Sequence, residues 1–151
     1  MLLIQYKQKR NFSGKNKTPE PKPKISKTKK LIFVIHKHHA SHLHWDLRLQ
    51  RNKVLKSWAI PKEPPKVKNV KRLAIQVENH PLEYAKFQGE IKQGYGKGIV
   101  KIWDKGTYEL KFWNSKKIEF VLHGKKLKGN YVLVKATYGS KPEKSWLWFK
   151  I

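Results

Sequence analysis

From residue 31 onward the chain is written as short runs rich in β-branched and aromatic residues, and this spacing limits the fold more than any other feature. The runs are "LIFVIHKH", "LHWDLRLQ", "VLKSWAI", "RLAIQVE", "GIVKIWDKG", "TYELKFW", "KIEFVLHG", "YVLVKATY" and "SWLWFKI". Many alternate apolar with polar residues, the period of a strand buried on one side. Turn text such as "QRNK", "PKEPPKVKN", "QGYGKG", "NSKK", "GKKLKGN" and "GSKPEK" separates them. Only "HPLEYAKF" reads as a helical turn. Eight or nine strands at this spacing predict a mainly β protein, an antiparallel barrel or sandwich. Trp103, Trp113, Trp146 and Trp148 are expected in its core.

Residues 1–30 are different. They hold ten Lys or Arg against one acid, and Pro19, Pro21 and Pro23 at alternate positions forbid a helix. Too little apolar surface is present to offset chain entropy, so a disordered basic arm is expected, followed by a single domain over 31–151. The whole chain carries a net charge of +25, and residues 31–151 keep 25 Lys or Arg against nine acids. An excess this large favours polyanionic partners, nucleic acid first. With no cysteine, disulfides, zinc fingers and thiol catalysis are excluded. No apolar run reaches membrane-spanning length and "MLLI" is too short for a signal-peptide core, so a soluble, cytoplasmic (intracellular), monomeric protein with no membrane partner is expected.

Five of the seven histidines fall within nine positions of "HKHHASHLHWDLRL", residues 36–49. Read as a strand, "LHWDLRL" sends Leu43, Trp45, Leu47 and Leu49 to the core and His44, Asp46 and Arg48 to the opposite face. Residues two apart lie about 6.6 Å apart at Cα, near enough for two side chains to share a cation. His38 has the same parity, but on a continuous strand it would stand about 20 Å from His44. A reversal at "HASH", residues 39–42, would bring it back over His44 and Asp46. Two imidazoles and a carboxylate would then form a facial set with open positions, as in catalytic divalent-metal sites. Arg48 beside it suits an oxyanion such as phosphate. A histidine-rich stripe facing nucleic acid fits the same pattern without a metal. His36, His39 and His42 are assigned to the surface or loops. Glu78 is either an exposed strand residue or a partner orienting a ligand imidazole, and His123 holds a turn. "GYGKG" lacks the spacing and the Ser/Thr of a phosphate-cradling loop and reads as a hairpin turn, with Lys97 placed to touch a phosphate.

"KHHASHLHWDLRL", "VLKSWAIPKEP", "RLAIQVENHPLEYAKFQGEI", "YGKGIVKIWDKGTYE" and "HGKKLKGNYVLVK", in that order, resemble the 3′-phosphoesterase domain attached to bacterial DNA ligase D. The resemblance implies an antiparallel β-barrel of about eight strands with short flanking helical segments and a divalent metal, manganese favoured. It implies removal of 3′-phosphates and 3′-ribonucleotides from DNA or RNA–DNA primer–template ends, leaving a 3′-OH for repair or end joining by a separate ligase or polymerase. The family's metal ligands carry over onto His38, His44 and Asp46, and its phosphate-contacting residues onto Arg48, Lys62 and Arg72. His80 and Tyr84, in "HPLEY", take the second catalytic block, with His80 binding the phosphate or protonating the leaving oxygen. The same match makes Tyr84 a hydrogen-bond donor to the phosphate or to a residue that supports it; without the resemblance Tyr84 reads as an ordinary packed tyrosine. Without the resemblance His80 reads as a turn residue before proline. The chain departs from the family at "HWDLRL", usually HYDFRL, and at the glycine turn, which usually includes an acidic residue. Two other readings predict different behaviour: a non-catalytic nucleic-acid-binding barrel needs no metal, and a metalloenzyme for another phosphoester, such as a cyclic nucleotide, turns over small substrates.

Overall fold

The computed structural model describes residues 30–94, 97–137, 139 and 141–151. Apart from Lys30, the basic arm expected at 1–30 lies outside the described residues. Nine strands run from Leu31 to Lys150: β1 Leu31–His39, β2 Leu43–Arg51, β3 Val54–Ile60, β4 Arg72–Pro81, β5 Gly89–Ile91, β6 Gly98–Trp113, β7 Lys117–His123, β8 Lys128–Lys135 and β9 Ser145–Lys150. They hydrogen-bond in the order β1-β2-β3-β4-β9-β8-β7-β6-β5, and a further pairing of β1 with β6 closes the sheet. All these pairings are antiparallel. Eight strands therefore form a closed barrel rather than a sandwich, with β5 added on the outside of the ring.

The runs "GIVKIWDKG" and "TYELKFW" are one strand, β6, of 16 residues. Its first part pairs with β1 and its second with β7. Gly106 lies between the two parts, where a Cβ would collide with the His123 carbonyl. A glycine that looks like a turn signal is here a site of close backbone approach. The helical turn expected at "HPLEYAKF" is a 3₁₀ segment, Leu82–Lys86, and a second one covers Pro142–Lys144.

Large side chains fill the barrel interior. Trp58, Trp148, Tyr131, Phe33 and Phe120 are fully buried, with Leu47 and Leu49 among them. Trp146 is buried as expected, and Trp103 and Trp113 pack half-buried against the same core. Leu43 departs from the core assignment and is 44% exposed. It is the first residue of β2 and faces His39, the last of β1, so no strand extends beyond it as cover. The outer wall has a smaller core of its own. Ala85 of the 3₁₀ segment lies on Val34 and Leu55, with Leu82 and Tyr84 beside them. Covered on both faces, β1 reads as a continuous apolar run, Phe33-Val34-Ile35, instead of alternating.

Asp104, buried at 5% exposure, ties one end of the barrel. Its carboxylate accepts hydrogen bonds from the backbone N–H groups of Lys105, Lys125, Lys126 and Leu127 at 2.8–3.1 Å. A Cβ on Gly124 would meet this carboxylate and the Phe33 ring, so the β7–β8 turn needs glycine there.

Two predictions follow from this packing. In Asp104→Asn an amide N–H₂ faces backbone donors, and the variant should unfold with about 2–3 kcal/mol less stability, measured by urea denaturation. Buried Tyr131 donates to the Pro65 carbonyl, and burial, then the charge of Asp104, push its phenol up from 10.0 to about 12. Burial likewise raises the Tyr108 phenol, whose O–H donates to the Gln50 carbonyl. In the unfolded chain both phenols lose their protons near pH 10, whereas in the barrel they keep them. Their contribution is thus complete below pH 10 and lost as pH rises toward 12. Tyr131→Phe should flatten this alkaline fall in the urea midpoint relative to the unsubstituted protein.

Candidate metal and phosphate site

The β1–β2 hairpin turns at residues 40–42, and its register sets His38 opposite His44, His36 opposite Asp46 and Val34 opposite Arg48. Cross-strand partners share a face, so all six side chains lie on the outer wall of the barrel. The reversal expected at "HASH" occurs, and the three predicted ligands meet. Ligand atoms of His38, His44 and Asp46 lie within 4.8 Å of one another.

One carboxylate oxygen is the focus. Asp46 Oδ2 is 3.3 Å from His44 Nε2, 3.4 Å from Arg48 Nη2 and 3.8 Å from His38 Nδ1. Burial alone would raise the Asp46 pKa. Contacts with His38 and His44 and the charge of Arg48 outweigh it and hold the carboxyl well below the usual range. The bond to Asp46 raises the His44 pKa against the effect of burial. His44 Nδ1 lies 3.2 Å from the His42 carbonyl, which can only accept. Nε2 faces a second acceptor, the Asp46 carboxylate, so the protonated ring donates from both nitrogens. With the Nδ1 proton held by the carbonyl, loss of the Nε2 proton leaves that lone pair for a cation. An outer partner of this kind aims an imidazole at a metal. The donor set fits a divalent cation.

Arg48 is 4% exposed, and each of its nitrogens has a partner. Nε donates to His36 Nδ1 at 3.1 Å, Nη1 lies 3.2 Å from His80 Nδ1, and Nη2 faces Asp46. The guanidinium carbon stands 4.9 Å from the centre of the Tyr84 ring, which stacks on Phe87. Burial lowers the Arg48 pKa while Asp46 and Tyr84 act in the opposite direction.

His80 reaches the site through a bulge. Ser57 pairs with Val77, but Leu55 pairs with His80, so β4 carries one extra residue over this step. Strict alternation would turn His80 inward with Ala74; the bulge turns it outward. Burial, then the charge of Arg48, lower its pKa to about 4, so the ring is neutral at pH 7. Its Nδ1 faces both the donor Arg48 and the Glu78 carbonyl acceptor at 3.1 Å. Either tautomer finds a partner there, and Nε2 carries the lone pair or the N–H accordingly. Glu78 meets His80 through its backbone and not through its carboxylate, which is exposed.

These groups line a hollow of about 830 Å³, whose other wall includes Ile91, Gly94, Lys97 and Gly98 of the β5–β6 hairpin. Lys62 and Arg72 are not among its lining residues. With Lys71 they line a separate hollow of about 510 Å³, and Arg72 Nε donates to the Glu63 carbonyl at 2.6 Å. His39 and His42 are exposed, as assigned, and the exposed His123 pairs with Glu109 at 2.7 Å. His36 overturns its assignment to the surface. It is fully buried under the 3₁₀ segment, and burial, then Arg48, lower its pKa to about 4. The signal was in the parity: once the hairpin is drawn, His36 shares the face of His38 and Asp46.

Fold and site together define a closed β-barrel that carries a histidine–carboxylate–arginine centre on its outer wall. Residues 36–135 match the DNA ligase D 3′-phosphoesterase domain, and the chain belongs to that family. It is 41% identical over 158 residues to the multifunctional non-homologous end joining protein LigD of Pseudomonas aeruginosa, covering 99% of this chain and 18% of that protein. To the protein of the same name from Mycobacterium bovis it is 43% identical over 144 residues, 88% of this chain and 18% of the relative. With the Mycolicibacterium smegmatis protein it shares 43% over 152 residues, 91% and 19% of the two chains. The chain thus spans less than a fifth of the length of these relatives.

Metal binding has a direct readout. Manganese(II) at 100 times its dissociation constant should stabilise the folded protein by about 2.7 kcal/mol, seen as a rise in melting temperature. His44→Ala should remove most of that rise. Asp46→Asn is the poorer probe, because it leaves the buried Arg48 charge uncompensated and costs stability by itself.

Proposed function

We propose that the protein is a divalent-metal-dependent phosphoesterase acting on nucleic-acid 3′ ends. It removes 3′-phosphates and 3′-ribonucleotides from DNA or RNA–DNA primer–templates and leaves a 3′-OH for DNA repair by non-homologous end joining. The observation that carries this reading is the meeting of His38, His44 and Asp46 within 4.8 Å, with the Arg48 guanidinium on the same carboxylate oxygen. Membership of the 3′-phosphoesterase domain family and the end-joining names of the relatives support it.

His38, His44 and Asp46 hold the metal, manganese(II) in this proposal. A divalent ion bound there supplies charge to a phosphoryl oxygen and lowers the pKa of a water molecule. Arg48 keeps its charge at any working pH and donates to the non-bridging oxygens, where negative charge grows in the transition state. Its buried surroundings make that interaction stronger than it would be in water. His80 is neutral at pH 7 and serves as a hydrogen-bond donor to the terminal phosphate. An anion seated beside it raises its pKa, and so allows it to protonate the leaving oxygen. Tyr84 supports the Arg48 guanidinium from below. Lys62 and Arg72, on their separate hollow, contact a phosphate other than the terminal one. The net charge of +25 holds the duplex through salt-sensitive contacts. A separate ligase or polymerase then uses the 3′-OH.

The test is turnover of a 3′-phosphorylated primer–template with and without manganese(II). Phosphate release should require the metal and fall about 100-fold or more in His44→Ala. A folded, metal-loaded protein that leaves the 3′-phosphate in place overturns the reading.

A further inference from the structure

We propose that His36 is a positioning residue for Arg48: its Nδ1 fixes the guanidinium plane, and the Phe87 carbonyl fixes His36. The inference rests on the reading above only in taking Arg48 as the group that binds the terminal phosphate.

The chemistry of the two contacts determines the ring's state. His36 Nε2 lies 3.0 Å from the Phe87 carbonyl, which can only accept. Its Nδ1 lies 3.1 Å from Arg48 Nε, which can only donate. One tautomer satisfies both, with the proton on Nε2 and the lone pair on Nδ1. The ring has no room to turn: it is fully buried, and Tyr84 stands edge-on with ring centres 5.3 Å apart. Asp46 holds it in register from the neighbouring strand.

The consequence is for Arg48. A guanidinium has five N–H groups in one plane. His36, His80 and Asp46 engage one nitrogen each, which leaves two N–H groups for an oxyanion. A contact at Nε sets the rotation of the plane in a way that contacts at the two Nη atoms alone do not. His36 also ties this plane to the covering segment, since Phe87 follows directly on the 3₁₀ turn that carries Tyr84. The phosphate-facing arginine and the wall over it are thereby fixed together through one imidazole.

Glutamine can reproduce both contacts, with the amide oxygen accepting from Arg48 Nε–H and the amide N–H₂ donating to Phe87. Leucine fills the space and can do neither. His36→Leu is expected to lose about 10- to 100-fold in kcat/KM on a 3′-phosphorylated primer–template, the range for partners that orient a site residue. His36→Gln is expected to stay within about 3-fold of the unsubstituted protein on the same scale. In an Arg48→Lys background His36→Leu should cost little more, because the two residues act as one unit. A readout independent of activity is the Arg48 Nε–H resonance in ¹H–¹⁵N spectra, assigned by its loss in Arg48→Lys. It should exchange slowly with solvent in the unsubstituted protein and in His36→Gln, and rapidly in His36→Leu. If the unsubstituted protein does not process 3′ ends, the proposed function fails while the spectra still decide the positioning role. A His36→Leu variant that keeps a protected Nε–H, or a folded His36→Gln variant as impaired as His36→Leu, overturns the proposal.

Discussion

The register of the β1–β2 hairpin is the constraint on which the site depends. Because side chains alternate strictly, a slip of β2 by one residue would carry His44, Asp46 and Arg48 into the barrel interior, away from His38, and expose Trp45 and Leu47. The interior cannot accept that exchange. Leu47 and Leu49 are fully buried among aromatic rings, and each such side chain contributes about 1.5–3 kcal/mol by leaving water. Packing on one side of the wall thus fixes the chemistry on the other. The two faces share a backbone, and only one register satisfies both.

A buried ion pair outside the main core needs a reason to stay dry. Here it is the segment from Leu82 to Phe87, which lays Ala85 on Val34 and Leu55 and places Tyr84 beneath the guanidinium. Removing Asp46 and Arg48 from water is costly, and the cost is offset only when every donor finds an acceptor. The structure meets that condition for three of the five Arg48 N–H groups, with His36, His80 and Asp46 each taking one nitrogen, and leaves the other two for an oxyanion. Neutral histidines suit this role because they accept without adding a second positive charge. The lowered pKa values of His36 and His80 have the same origin, burial first and Arg48 next.

Much of this was legible in the sequence, and the exceptions have physical causes. The strands, the reversal at residues 39–42 and the convergence of His38, His44 and Asp46 follow from period-2 patterning and parity. Parity also contained the placement of His36, but a histidine beside an apolar run does not announce that a distant segment will cover it. His80 was harder, since its outward direction depends on an extra residue in β4 that strict alternation cannot reveal. Without the family resemblance it reads as a turn residue. Gly106 misled in the opposite sense, suggesting a break where β6 runs straight through. Asp104 left no mark either, because three of its four partners are backbone N–H groups 21–23 residues away.

The centre stands on the exterior of the barrel, across from the β5–β6 hairpin, and not in its lumen. A ligand inside an eight-stranded ring must pass a mouth scarcely wider than a side chain, and traffic then waits on the breathing of the strands. An exterior cleft has no such portal. For the substrate proposed above, a stiff and bulky polymer end, such a cleft permits a broadside approach, and the closed ring can remain rigid throughout.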